Sequence, residues 1–397
     1  MASFSVRFLG CKVSQTDAQG VRERLLADGH HERGSPADVA VVNTCCVTHE
    51  AVRKSRHAVA RAARTHQRVY VTGCGANLAG KAFDGMAPNV HVVARSSEAT
   101  PAAVAGDVGA IACVQAEPHL DRVRAFVKIQ DGCSFSCNFC VVPLVRGGSR
   151  SRRAVDVLRE VERRVAHGHR EVVLTGINLG CYRDRDAGYR LARLVREVGA
   201  VQGLARLRLS SIEVNHVNDE LITALRETPT VGRHLHVPLQ SGDNAVLRAM
   251  ARRYTAHSYL ARVAPLRDDF NLTSDVIVGF PNEDERAFRN TLHVVAEAGI
   301  TKVHVFPYSP RPGTATACDD PVPASVKKQR SARLRAASLA ASLARWRTKV
   351  GAEDTVLVDR PGRGYGDDYS PWLVDGPVGE FVRARGASVS EEGILAA

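Results

Sequence analysis

No stretch of this 397-residue chain holds 18 or more consecutive apolar residues, and no basic segment followed by an apolar one stands at its beginning. The first lack argues against a membrane-spanning helix and the second against a secretory leader, so neither membrane insertion nor export is expected. Without a secretory segment, ten cysteines are not expected to form a disulfide framework. In a reducing cytoplasm they point to metal ligation or catalysis. Acid is also short relative to base, with 42 Asp and Glu against 54 Lys and Arg, a net charge of +12 and a pI near 9.4. Such an imbalance favours a polyanionic partner, nucleic acid first, although an arginine-rich proteome would produce the same excess with no such partner. Hydrophobic residues make up 44% and the mean hydropathy is −0.16, as in a soluble globular protein. The length exceeds one ordinary core, so two or three domains are expected.

The most telling shortage is a missing fourth cysteine. Asp131-Gly132-Cys133-Ser134-Phe135-Ser136-Cys137-Asn138-Phe139-Cys140 brings three thiols into one loop at C-x3-C-x2-C spacing. Three are too few for a closed tetrahedral zinc site, which takes four ligands. They suit a four-iron cluster held by three thiolates, its fourth iron open to a substrate or cofactor. The plain alternatives are a chance cluster and a zinc site completed from a distance. The coincidence of the spacing, the glycine before Cys133 and the aromatic Phe139 before Cys140 counts against both.

Toward the N-terminus, residues 3–9 read as a strand that ends at Gly10-Cys11. Residues 38–42 form a second, nearly continuous apolar strand ending at Asn43-Thr44-Cys45. Residues 68–71 form a third, ending at Thr72-Gly73-Cys74, and 90–93 a fourth. Helices are expected over about 17–28 and 50–65. This alternation predicts a parallel α/β sheet, whose ligands bind in the loops after the carboxyl ends of the strands. Cys11, Cys45 and Cys74, far apart in sequence, would then gather on one edge as a second three-thiolate site. Ordinary small buried residues are the alternative, since free cysteine is often buried. Cys46 competes with Cys45. Cys45 is preferred for the Asn-Thr-Cys pattern, and because neighbours on extended backbone point in opposite directions.

Leu9-Gly10-Cys11-Lys12-Val13, Asn43-Thr44-Cys45, Thr72-Gly73-Cys74 and the Cys133 loop together resemble the radical S-adenosylmethionine (SAM) methylthiotransferases along nearly the whole chain. Gly-Cys-Lys-Val followed by Gln15 is similar to the branch acting on threonylcarbamoyladenosine in tRNA. Ser14, Cys46, Gly75 and Asn282 depart from the residues usual at those places.

From Val123 the strand–helix alternation resumes, with strands expected at 124–129, 171–174, 206–209, 234–237, 272–278 and 302–306, and helices such as 156–167, 219–228 and 283–298. Six such units fit a partial (β/α)6 relative of the TIM barrel, with its site at the strand carboxyl ends. Those ends carry Thr175-Gly176-Ile177-Asn178, Ser210-Ser211-Ile212-Glu213, Pro238-Leu239-Gln240-Ser241-Gly242 and Gly279-Phe280-Pro281. Gly176 lets backbone approach a ligand closely. The resemblance implies SAM contacts from Phe139, Thr175, Gly176, Asn178, Ser211, Glu213, Gln240, Gly279 and Phe280, with Glu213 on ribose hydroxyls and Phe280 walling the adenine. Simple turn chemistry is the alternative for each of these loops. Arg146, Arg150, Arg152 and Arg153 follow the cluster loop, either as a solvated charge run or as a path for RNA phosphates, and the RNA reading is slightly favoured. Cys113, Cys181 and Cys318 lack partners at ligand spacing and are read as structural.

A basic helix over about 325–349 carries Leu339, Leu343 and Trp346 on one face, which could pack on the barrel. Short strands at 355–358, 372–374 and 381–384 follow, resembling the small RNA-binding β-barrel called TRAM. The expected organisation is an α/β protein: an N-terminal parallel-sheet domain (1–118), a TIM-like radical SAM barrel (119–320), a connecting helix (321–350) and a TRAM-like β-barrel (351–397). The resemblance implies two [4Fe-4S] clusters, on Cys133, Cys137 and Cys140 and on Cys11, Cys45 and Cys74. It also implies SAM cleavage to a 5′-deoxyadenosyl radical, and replacement of an adenine C2 hydrogen by a methylthio group at position 37 of a tRNA anticodon loop. It further implies a cytoplasmic monomer served by an electron donor such as flavodoxin or ferredoxin. A ribosomal-protein methylthiotransferase, an isopentenyladenosine-tRNA enzyme and a non-catalytic metal-dependent RNA-binding protein are the competing readings.

Overall fold

Val39–Thr44 shows why the N-terminal region folds as it does. All six of its residues are buried, and a strand buried on both faces must lie inside a sheet covered on both sides. In the computed structural model, which describes residues 1–78, 82–96, 98–110 and 123–397, this strand is β3. It pairs in parallel with β1 (Ser3–Phe8) on one side and β4 (Arg68–Thr72) on the other. β2 (His31–Glu32) and β5 (Val90–Val92) are the edges, giving the order β2-β1-β3-β4-β5. Helix α1 (Lys12–Ala27) lays Val21 and Leu25 against Phe4, Val41 and Tyr70. Helix α2 (His49–Ala63) lays Ala58 and Val59 against Val42 and Val71. Its first turn is capped by Thr48, whose side chain accepts from the Ala51 amide. Helix α1 begins five residues earlier than expected, directly after Cys11. Ser14, an ordinary helix-start signal, lies inside it and is buried.

Contacts divide the chain into two compact units. The first combines Met1–His119 with Asp131–Arg150 and Ser309–Cys318, and the second holds the rest. The three-cysteine loop therefore belongs to the same unit as the N-terminal sheet. The expected boundary at 118/119 and Cys113 lie outside the described residues.

In the second unit, β6 (Arg124–Lys128), β7 (Glu171–Thr175) and β8 (Arg206–Leu209) form one parallel sheet, in the order β8-β7-β6. Strands β9 (His234–His236), β10 (Asn271–Val278) and β11 (Ile300–Pro307) form another. Bridges Leu207–Val231 and Ser211–His236 carry the first sheet into the second. These are the six strands of the open barrel. Its core lies between strands and helices and includes Val127, Leu174, Leu209, Leu235, Val276 and Phe288.

Helix α3 (Ala324–Arg347) differs from expectation on the face it buries. Leu334, Ser338, Ser342 and Trp346 are buried, whereas Leu339 and Leu343 are only partly so. The cause is the edge strand β11. The Ser338 hydroxyl accepts from the Val303 amide at 2.8 Å, and the Ser342 hydroxyl donates to the Thr301 carbonyl at 2.7 Å. The helix covers an otherwise unpaired sheet edge with hydroxyls. Its end, Trp346, enters the core of a closed barrel of five strands. These are β12 (Glu353–Arg360), β13 (Arg363–Tyr365), β14 (Pro371–Leu373), β15 (Phe381–Ser390) and β16 (Gly393–Ala396). Trp372 is 1% exposed at its centre.

Candidate functional site

Three loops leave the carboxyl ends of β1, β3 and β4, and each carries a predicted cysteine. Cys11 stands at the N-cap of α1, Cys45 directly after β3, and Cys74 in the short helix Gly73–Ala76 after β4. Packing at the glycines shows how closely the loops approach. A Cβ on Gly10 would meet the Ser14 hydroxyl at 2.8 Å and Cys45 Cβ at 3.2 Å. A Cβ on Gly73, whose φ is +84°, would meet Asn43 Oδ1 at 2.6 Å and the Thr44 carbonyl at 2.8 Å. Cys45 is pinned by Ser55, whose hydroxyl accepts from its amide at 3.2 Å and donates to its carbonyl at 3.3 Å. Burial pushes the Cys45 thiol up to about 11, and the neighbouring Cys74 and Cys11 sulfurs push the same way.

Cys46 has a different environment. It is fully buried beside Cys74, Val141 and Val145. Its pKa is raised, by its hydrogen bond to Cys74 first and by burial second. Cys74 moves the opposite way. The Cys46 hydrogen bond lowers it against the cost of burial, and the Arg146 guanidinium adds to the lowering. Cys45 thus feels both other cysteines of the predicted set, while the strongest influence on Cys46 is its hydrogen bond to Cys74.

Arg146 joins this edge to the cluster loop. Its Nε donates to Cys74 Sγ at 3.0 Å, its Nη1 to both carboxylate oxygens of Asp131 at 3.0 and 3.2 Å, and its Nη2 to Asp17 at 2.8 Å. Its side chain is 5% exposed. These groups line a cavity of about 380 Å³ that also touches Asn43, Asn77 and Arg150. Arg146 is therefore a buried strut with fixed partners. Within the same unit Arg150 is exposed beside Glu98 at 3.7 Å. In the other unit Arg152 is tied to Glu160 at 2.6 Å, and Arg153 is 70% exposed. Two members of the supposed phosphate path, Arg146 and Arg152, are thus held by acidic partners. The run looked uniform only because charge in sequence does not reveal burial.

The Cys133 loop is shaped from both flanks. Gly132 has φ +68°, and a Cβ there would lie 2.7 Å from the Gly147 carbonyl, so no side chain fits. The Cys133 amide donates to that carbonyl at 3.0 Å, the Ser149 amide to the Ser134 hydroxyl at 3.0 Å, and the Cys140 amide to the Cys137 carbonyl at 3.0 Å. The Asn138 carbonyl accepts from both the amide and the hydroxyl of Thr316. The Phe135 amide donates to Cys133 Sγ at 3.4 Å. All three cysteines are half-buried. Three thiols of intermediate exposure on a preshaped loop fit a cluster with one open iron. Cys11, Cys45 and Cys74 fit a second by the same donor chemistry.

In the other unit the strand ends are joined in sequence. The Ser210 amide donates to the Leu174 carbonyl, Ser211 bridges His236, and the Gln240 amide donates to the Asp275 carbonyl. Gln240 holds φ +64°, a left-handed conformation for a non-glycine residue. Thr175 Oγ1, Asn178 Oδ1 and Ser210 Oγ are buried with no hydrogen-bond partner among the described residues. Buried polar atoms normally find partners, so this end of the barrel is built for a polar ligand. Gly176 admits the Gln130 side chain, whose Oε1 accepts from the Asn178 amide at 2.8 Å. Glu213 is already engaged by Asn215 at 2.9 and 3.0 Å and by Arg252 at 3.3 Å. Gly279 lies against the Lys327 side chain, and Phe280 is 1% exposed, packed edge-on to Tyr308 at 5.1 Å.

Two features of this unit had no sequence signal. The Cys181 thiol contacts His216 Nε2 at 3.3 Å. On neighbouring strands, the ligand-type atoms of His236, Asp275 and His304 all lie within 4.8 Å of one another. The His234-x-His236 alternation was visible, but not the face it occupies.

These two units carry the hallmarks of a radical SAM enzyme, and comparisons with known proteins agree. Residues 127–295 match the Radical SAM superfamily, and residues 3–94 match Uncharacterized protein family UPF0004. The fold is shared with the radical SAM methyltransferase TsrM of Kitasatospora setae, with a TM-score of 0.59 at 13% identity over 79% of this chain and 74% of that one. It is also shared with the radical enzyme OxsB, with a TM-score of 0.53 at 8% identity over 85% of this chain and 55% of that one. Threonylcarbamoyladenosine tRNA methylthiotransferase MtaB of Thermotoga maritima is 33% identical, covering 100% of this chain and 96% of its own length. The Bacillus subtilis protein of the same name is 36% identical over 85% of this chain and 80% of its own. The tRNA-2-methylthio-N(6)-dimethylallyladenosine synthase of Novosphingobium aromaticivorans is 35% identical over 94% and 90%. The chain belongs to the radical SAM methylthiotransferase family. No helix among the described residues is long and apolar enough to cross a membrane.

Proposed function

We propose that this chain modifies tRNA, replacing the C2 hydrogen of N6-threonylcarbamoyladenosine at position 37 with a methylthio group. The observation that carries this reading is the convergence of Cys11, Cys45 and Cys74 on one sheet edge, in the same compact unit as the Cys133 loop. It stands beside similarity, over 100% of this chain in one relative and 85% in another, to proteins named as threonylcarbamoyladenosine tRNA methylthiotransferases. When bound, a cluster at the Cys133 loop would supply one electron to cleave SAM, and one at the N-terminal edge would supply sulfur.

The chain's own residues have definable parts. Cys133, Cys137 and Cys140 would hold the first cluster, with Gly132 and the Phe135 amide fixing the loop around them. Cys11, Cys45 and Cys74 would hold the second, with Arg146 donating to Cys74 and setting its orientation. Thr175, Asn178 and Ser210 offer unspent hydrogen-bonding capacity for SAM. Gly176, Ser211, Gln240 and Gly279 shape the loops beside them. Glu213 acts by fixing its own turn and Arg252, and Phe280 by supporting Tyr308. The target adenine lies in a loop, where it is splayed out more cheaply than a paired base. Electrons come from a flavodoxin- or ferredoxin-type donor.

The test is iron and sulfide content after anaerobic reconstitution, together with nucleoside analysis of treated tRNA. Two clusters predict about eight irons per chain, falling to about four in a Cys11/Cys45/Cys74→Ala variant that still cleaves SAM but forms no methylthio product. About four irons in both proteins would overturn the reading. An isopentenyladenosine product would move the substrate to the other branch.

A further inference from the structure

Helix α2 has two faces with different tasks. Its inner face packs Ala58 and Val59 on the N-terminal sheet, and there the Ser55 hydroxyl accepts from the Cys45 amide and donates to the Cys45 carbonyl. Its outer face carries Arg53, His57, Arg61 and Arg64, at spacings of four, four and three that set them in one line along the helix, with Lys54 beside them. All five are exposed. The only carboxylate within the helix is Glu50, which pairs with Arg53 at 2.8 Å and with Lys54 at 3.5 Å. The side chains of His57, Arg61 and Arg64 make no hydrogen bond or ion pair among the described residues.

Helices of the second unit mix their signs. Ala154–Ala166 sets Asp156 and Glu162 among Arg159 and Arg163, and Leu191–Gly199 pairs Arg193 with Glu197 at 3.0 Å. Helix α3 has no acid of its own, yet its Lys327, Arg330, Arg333 and Arg345 pair with Asp320, Glu283, Glu285 and Asp368 from other segments. An arginine-rich composition by itself would mix or pair the charges of α2 in the same way. Like charges three or four positions apart repel, and the helix dipole offsets this only in the last turn. The line on α2 therefore works against the free helix, and a polyanion laid along it would relieve the repulsion.

We propose that the outer face of α2 binds backbone phosphates of the tRNA's anticodon stem while the loop lies at the cysteine edge. Helix α2 starts just after the Cys45 loop, at its Thr48 cap, and runs away from the cysteines for 15 residues, about 22 Å at a rise of about 1.5 Å per residue. Guanidiniums fork onto phosphate oxygens, and such contacts fix register without reading sequence. Double-stranded RNA is recognised in that way, through its backbone, whereas bases are read where they are unpaired. The face thus positions the stem and leaves the choice of base to the loop. This rests on the proposed tRNA reading and adds to it a second contact, made by the outer side of the helix whose inner side pins Cys45.

The experiment is equilibrium binding of the cluster-loaded protein, over a series of salt concentrations, to an anticodon stem-loop carrying N6-threonylcarbamoyladenosine and to the same loop without its stem. In the Arg61→Gln/Arg64→Gln variant the slope of log affinity against log salt for the stem-loop falls by about two, one per lost phosphate contact, and affinity at low salt drops by about tenfold or more. Iron content is unchanged, and the stemless loop binds parent and variant alike. Arg61→Lys/Arg64→Lys keeps most of the slope, because the charge remains. The proposal is overturned if the parent does not bind the stem-loop, if the glutamine variant keeps the parent slope, or if it weakens the stemless loop equally. Failure of the proposed reaction would show separately, as a stem-loop bound with the expected change of slope on which the parent leaves no methylthio product.

Discussion

Each unit buries arginine, and the two solve the problem differently. In the first, the single guanidinium of Arg146 faces two carboxylates, Asp17 and Asp131, and the Cys74 thiol. In the second, Arg124, Arg206 and Arg208 surround Glu171, which is 0% exposed. Asp359 stands 3.9 Å from Arg124 and Asp367 3.3 Å from Arg206. The guanidiniums also donate to the carbonyls of Thr355, Gly366 and Asp367 and lie over the rings of Tyr365 and Tyr369. Three cations meet three anions there, at the amino-terminal ends of β6, β7 and β8, and the loop 365–370 of the small barrel closes over them. That network is balanced by the chain itself and serves the fold. The Arg146 network instead sets a thiol beside two carboxylates, and that thiol, Cys74, is one of the three that would hold a cluster at the N-terminal edge. The chemistry of its partners separates the two buried arginine networks more sharply than burial itself.

The largest effect expected from breaking this contrast comes from Glu171→Gln. It leaves three desolvated guanidiniums around a neutral amide, and removal of one partner from a buried ionic group costs about 3–5 kcal/mol. Chemical denaturation of the whole chain should show a loss in that range, and a change below about 1 kcal/mol would mean that Asp359 and Asp367 balance the seam alone. The same comparison has a pH signature. Burial opposes charge on Glu171, but Arg208, Arg124 and Arg206 outweigh it and hold the carboxyl below its ordinary value of 4.5. A depressed carboxyl contributes stability that is present above its unfolded value and lost as pH falls through the folded one. The gap between parent and Glu171→Gln should therefore be constant from pH 7 to about 5 and close as the pH drops below 4.5. A gap that stays constant down to acid-induced unfolding would remove Glu171 as the source.

The difference between the networks also shows what sequence could and could not reveal. Most strands of the three parallel sheets were readable as apolar runs, and their order along the chain implied a parallel arrangement. The C-x3-C-x2-C loop was legible because its members are neighbours. Cys11, Cys45 and Cys74 were legible only through the fold, as residues at equivalent strand ends. Arg146 was misread because its partners Asp17, Cys74 and Asp131 lie 129, 72 and 15 positions away. Strand β2, with two residues, is too short for any periodicity. On α3 the buried serines answer to the backbone of β11, a demand that hydrophobic patterning does not register. Lys302-Val303-His304-Val305-Phe306 showed its alternation plainly, but which face would stay open depended on where the helices packed.

The Arg146 side of the comparison predicts a smaller and more local effect. Arg146→Met keeps the length of the buried stem, where an apolar side chain can pack, and removes the donor to Cys74 and the positive charge between Asp17 and Asp131. Loss of a group that orients a ligand costs about 10–100-fold in metal affinity. In reconstituted protein exposed anaerobically to an iron chelator, about half the iron should leave faster by a factor in that range, while the half assigned to the Cys133 loop leaves at the parent rate. Arg146→Lys should fall between, because an ammonium restores the charge without the planar fork that reaches three partners at once. Equal rates in all three proteins would reduce Arg146 to a packing element. Accelerated loss from both halves would mean that its grip on Asp131 matters as much as its contact with Cys74, and that one guanidinium steadies both cysteine sets.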